Sequence, residues 1–129
     1  MRVSVKMRVM AGFAMAVLTA APAFAHHSFA MFDRQKNVTL TGAVKEFQWT
    51  NPHCWVQLVV KDPATGKDVE WSLEGLGPNG LSRRGWTRTS LKPGDQAVAV
   101  VHPLLDGTPG GQLVTITVGG QQLVNMANN

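Results

Sequence analysis

The stretch Val69-Glu70-Trp71-Ser72-Leu73-Glu74-Gly75-Leu76-Gly77-Pro78-Asn79-Gly80-Leu81-Ser82-Arg83-Arg84-Gly85-Trp86-Thr87 decides how this chain is read. Its first six residues alternate, with Val69, Trp71 and Leu73 on one face and Glu70, Ser72 and Glu74 on the other, which is the period of a strand with one buried side. Gly75-Leu76-Gly77-Pro78 then breaks the pattern, because glycine weakens a ladder and proline cannot donate to one. From Asn79 to about Leu91 the spacing suits one or two short helical turns, with Asn79 as a cap, Gly85 as a stop and Thr87 capping a second turn ahead of Pro93. A third strand that ends in a short helix, and not in another hairpin, is the observation that separates two all-β architectures.

On the N-terminal side, Asp62-Pro63-Ala64-Thr65-Gly66-Lys67 is a hairpin connection. It is preceded by a strand over 53–61, in which Cys54, Val56, Leu58 and Val60 share one face and His53, Trp55 and Gln57 the other. The first strand alternates from Val38 to Val44, then slips parity to Phe47 and Trp49, as a bulged strand does when it curls around a barrel. On the C-terminal side, the turn Lys92-Pro93-Gly94-Asp95 leads into a fourth strand over 96–102. Asp106-Gly107-Thr108-Pro109-Gly110-Gly111 connects it to a fifth, carrying Val114, Ile116 and Val118. Gly119-Gly120 either ends that strand or turns a last hairpin into 122–124.

Three strands, a short helix and two strands make the order of an oligonucleotide/oligosaccharide-binding (OB) barrel, with a small β-sandwich as the competitor. The expectation is therefore an all-β chain, a small five-stranded OB-like barrel over 38–124 with a short helical insert between strands three and four. Val56, Leu58, Val60, Val69, Trp71, Leu73, Val98, Val100, Val114 and Ile116 are expected inside, Trp49, Trp71 and Trp86 in the core or at its edge, and 125–129 as a disordered tail.

The first 25 residues read as a signal peptide: basic Arg2, Lys6 and Arg8, an apolar run from Val9 to Leu18, and the cleavage motif Ala23-Phe24-Ala25. Cleavage after Ala25 predicts a periplasmic or secreted protein of 104 residues that starts at His26 and has an N-terminal arm over 26–37. Removing three of the 12 Lys and Arg leaves nine against eight Asp and Glu, so the net charge falls from +4 to +1. That weakens the case for a nucleic acid partner. The leader is too short to span a bilayer, and stable membrane insertion is not expected. Cys54 is the only cysteine, so no internal disulfide is possible and it reads as a small core residue.

All four histidines lie beyond the leader: His26 and His27 at the mature start, His53 at the head of strand two, His102 at the end of strand four. In an OB barrel the loops beside His53 and His102 flank the usual binding face, which brings the two together. The arm spans 12 residues and reaches ~40 Å, enough to run back along a strand, and is expected to become ordered when a metal ties it down. A free amine and imidazole make His26 a chelate by itself, and adding His53 or His102 gives an all-nitrogen site. Imidazole suits copper, zinc and nickel, and the Irving–Williams order favours Cu(II). This resembles the histidine-brace copper proteins in the use of His26, not in fold. Ser28 at the third position rules out the amino-terminal Xaa-Xaa-His copper motif.

The candidate metal ligands are thus His26, His27, His53 and His102, and the expected function is a periplasmic copper carrier or buffer. The alternative is a metal-free OB module that holds a small anionic ligand, glycan or peptide through outward Trp55 and the basic cluster of Arg83, Arg84 and Arg88. A copper-dependent oxidase or oxygenase is a third reading. Enzyme motifs are lacking: there is no nucleophile elbow, P-loop, CxxC or HExxH.

The mature chain also resembles a family of small exported bacterial proteins of unknown function. The resemblance rests on His26-His27-Ser28-Phe29-Ala30-Met31-Phe32-Asp33, on Gly42 with Val44-Lys45-Glu46-Phe47-Gln48-Trp49-Thr50-Asn51-Pro52-His53, and on Leu81-Ser82-Arg83-Arg84-Gly85-Trp86-Thr87 followed by Leu91-Lys92-Pro93-Gly94-Asp95. It implies an aliphatic residue where Cys54 stands, which agrees with a core role for that side chain.

Overall fold

The structure is a computed structural model and describes residues 29–126. After a 3-10 turn at Phe29–Met31 come β1 (Val38–Gln48), β2 (Trp55–Lys61), β3 (Asp68–Glu74), α1 (Pro78–Ser82), β4 (Gln96–Pro103), β5 (Gly110–Val118) and β6 (Gln121–Val124). No helix among the described residues is long and apolar enough to cross a membrane.

β1 pairs antiparallel with β2 and β4, β2 with β3, and β4 with β5. A parallel pairing of β3 with β5 closes the ring. This is the OB connectivity, and the β3–β5 contact excludes two separate stacked sheets. β6 adds to β5 outside the ring, so Gly119-Gly120 does turn a hairpin. The expected bulge in β1 falls between Val44 and Glu46. It lets one strand serve two neighbours: residues from Val38 to Ala43 face β4, and those from Gly42 to Gln48 face β2. Glycine is required at 42, where a Cβ would collide with the carbonyl oxygen of Val59.

Leu40, Val44, Val56, Leu58, Leu73, Val101, Leu113 and Ile116 fill the barrel, and Leu81, Trp86 and Leu91 from the α1 segment join the same core. Trp86 is buried with its Nε1 donating to the Val124 carbonyl at 2.9 Å, and Trp49 and Trp71 pack at the core edge. Two local expectations are corrected here. The residue capping α1 is Gly77, with no side-chain cap, and Asn79 lies inside the helix behind Pro78. A side chain at 77 would press on the Pro52 carbonyl, its Cβ only 2.5 Å from the oxygen, and this crowding selects glycine. Thr87 caps no helix either: its N–H donates to Ser90 Oγ at 2.8 Å within a turn. Gly85, at φ 83°, does stop the helical segment.

The parity of β4 is also corrected. Ala97, Ala99 and Val101 point inward, while Val98 is exposed and Val100 half-buried. Ala99 is paired with Leu40 on one side and Ile116 on the other. A barrel already filled by leucines accepts a small residue in that row and leaves no room for valine. Val69 and Trp71 lie on the inner face but at the mouth, where they line an open cavity of about 650 Å³ with Leu40 and Val60.

Candidate functional site

One register row crosses four strands: Trp55 opposite Glu74, Glu74 beside Gln112, Gln112 opposite His102. The residues one step along, Val56, Leu73 and Leu113, belong to the core, so this row faces outward. Outward residues are normally wet, yet Glu74, Gln112 and His102 are only 5%, 6% and 8% exposed. Phe32 from the N-terminal side and Asn125 and Met126 from the C-terminal side line a small cavity with Glu74 and Gln112. Phe32 bridges to Leu104, the Asp33 N–H donates to the Pro103 carbonyl at 2.8 Å, and the Leu105 N–H donates to the Met31 carbonyl at 3.0 Å.

The arm therefore does run back along the barrel over its described residues. Residues 29–36 are fastened by protein contacts that include His102 Nδ1 bonded to the Lys36 carbonyl at 2.9 Å. His26 and His27 lie outside the described residues, and the expectation that they are ligands rests on sequence.

His53 and His102 share this outer face, with Gln112 and Glu74 in the row between them; two strand spacings, ~10 Å, separate His102 from Glu74. His53 is the more accessible, its side chain 38% exposed, and its Nδ1 meets Glu74 Oε1. The two rings are held alike. The Lys36 carbonyl only accepts, so His102 carries a proton on Nδ1, and the Nδ1 of His53 is turned to the Glu74 carboxyl. Ligating histidines commonly have such an oxygen at the ring nitrogen turned away from the metal, which fixes the ring direction.

Beside His53 is a cavity of about 60 Å³ lined by Phe32, His53, Glu74, Gln112, Asn125 and Met126. Gln112 Oε1 is buried with no hydrogen-bond partner among the described residues. A neighbouring cavity of about 100 Å³ touches Met31, Phe32, Trp55 and Glu74. Asn125 is 1% exposed: Leu76 N–H donates to its Oδ1 at 2.8 Å, and its Nδ2 donates to the Leu113 carbonyl at 2.6 Å. The expected tail from 125 is corrected accordingly. Asn125 and Met126 belong to the folded domain, and residues 127–129 lie outside the described residues.

Trp55 faces outward, as its parity implied, and is half-buried. Arg83 and Arg84 are exposed at the end of α1, bonded back to the Asn79 and Gly80 carbonyls at 3.2 and 3.3 Å, and they line neither of the two cavities at Glu74. Cys54 is buried, 3.9 Å from the Thr50 carbonyl through Sγ. Burial pushes its thiol pKa up, which disfavours the thiolate a metal would need. Among the described residues no three His, Cys, Asp or Glu side chains group around a metal position.

Sequence reasoning missed Glu74, Gln112, Asn125 and Met126. Glu74 was within reach: counting back from the Asp62-to-Lys67 turn sets it opposite Trp55. Gln112 was not, because its place depends on the parallel β3–β5 register, which no turn fixes.

Fold and site together define a small OB-topology barrel whose outer face carries a row of polar side chains roofed by the chain's own ends. The chain belongs to the family of unknown function DUF6152, whose model matches residues 14–113. No curated protein and no solved structure matches it.

Proposed function

We propose that this protein, exported and cleaved after Ala25, binds one copper ion through the amine and imidazole of His26 together with His53, and carries or buffers that ion in the periplasm. The observation that supports this best is the seat of His53: a partly exposed imidazole whose Nδ1 is engaged by a buried carboxylate, Glu74. A buried carboxylate behind a histidine is the outer-shell partner that orients a ligand and raises its basicity. Reach adds support. Phe32 lines the same cavity as His53, and the six residues from His26 to Phe32 extend to ~20 Å, more than the tether needs. His102, buried and bonded to the arm's Lys36 carbonyl, serves as the anchor that aims the arm at His53, with His27 outside the coordination sphere. Zinc and nickel suit the same nitrogens, and copper leads by the Irving–Williams order.

The test is Cu(II) competition titration on processed protein whose start at His26 is verified by intact mass. His53→Ala weakens binding ~100-fold and Glu74→Gln ~10-fold or more, while His27→Ala stays within ~3-fold. His53→Ala binding as tightly as the parent overturns the reading.

A metal-free ligand-binding module is the second reading, favoured by the cavity of about 650 Å³ at the barrel mouth, whose size suits a small organic molecule and whose wall includes Trp71. Neither Trp55 nor Arg83 and Arg84 line that cavity.

A further inference from the structure

Residue 126 follows the last strand by two positions, where a chain is expected to fray. Here it is pinned. The N–H groups of Asn125 and Met126 donate to the Val114 carbonyl at 2.9 and 3.2 Å, and the buried Asn125 side chain ties β3's exit to β5 through Leu76 and Leu113. A fully desolvated amide is a costly device unless every bond it makes is needed. What it secures is Met126, against the wall of the same cavity of about 60 Å³ that His53 and Glu74 line.

A sphere of that volume is ~5 Å across, so Met126 and His53 line one space of a size that a single ion fills. Gln112 adds the second observation. Its Oε1, buried on the cavity wall without a hydrogen-bond partner among the described residues, calls for a donor that the cavity's occupant would bring, such as the N–H of a metal-bound amine.

Thioether sulfur is a soft ligand that selects Cu(I), whereas imidazole serves both oxidation states. We infer that Met126 is a second ligand to the copper held by His53, and that the site therefore holds Cu(I) as well as Cu(II). This rests on the copper reading above and adds to it a residue and an oxidation state. A leucine at 126 has nearly the same volume and fills the space equally well, so the sulfur alone is at issue.

The experiment uses processed protein and two titrations: Cu(I) under anaerobic ascorbate against bathocuproine disulfonate, and Cu(II) against a nitrogen chelator. Met126→Leu lowers Cu(I) affinity ~10-fold or more and Cu(II) affinity less than ~3-fold. Copper K-edge absorption of the Cu(I) protein shows a sulfur scatterer that vanishes in Met126→Leu and persists in Cys54→Ala. Unchanged Cu(I) affinity in Met126→Leu, or a sulfur signal that survives it, overturns the inference. A parent protein that binds Cu(II) but not Cu(I) also overturns it while leaving the copper reading intact. Failure to bind either ion removes both.

Discussion

Asn125 shows how much one side chain can decide. In the sequence it opens an Asn-rich terminus and carries no periodicity, so it reads as the start of a tail. In the folded chain it is an internal strut, because its amide oxygen accepts from the Leu76 N–H and its amide nitrogen donates to the Leu113 carbonyl. Removing the amide strands a buried N–H and a buried carbonyl. Asn125→Ala should therefore cost about 2–4 kcal/mol, read from denaturant unfolding of the metal-free protein. A loss below about 0.5 kcal/mol would mean that the strut is idle. Histidines and glycines were easier to interpret, since their chemistry or their φ angle narrows the choices. An asparagine is satisfied equally well by water or by the backbone, and only the tertiary arrangement says which.

β4 is the element where sequence reasoning and structure part most clearly. Gln96-Ala97-Val98-Ala99-Val100-Val101-His102 is apolar on both parities, and bulk alone favours Val98 and Val100 as the buried pair. The barrel reverses this because the partners of Ala99 are Leu40 and Ile116, and one row cannot hold three large side chains. Ala99→Leu should destabilise by about 1–3 kcal/mol through overpacking, while Val98→Thr should stay within about 0.5 kcal/mol in thermal or chemical unfolding. The opposite ranking would restore the expected parity. By contrast β1, β2 and β3 were legible, because each has one apolar face and short turns fix their register.

At the scale of the molecule, the strand order and the short helix before β4 were readable, and from them the closed barrel. The row Glu74, Gln112 and His102 was not, because it exists only where the parallel β3–β5 pairing closes the ring and the chain's ends fold over it. The topology suggested that His53 and His102 converge at flanking loops. In the structure they share a face, with different surroundings and so different proposed duties, ligand and anchor. In the proposed site the mature amine of His26 completes the coordination of a copper ion on His53. The most direct measurement is the Cu(II) affinity of processed protein compared with a variant carrying one extra residue ahead of His26, which keeps every side chain and moves only the amine. Loss of the chelate should weaken binding ~100-fold or more. Equal affinity in the two proteins would contradict the claim.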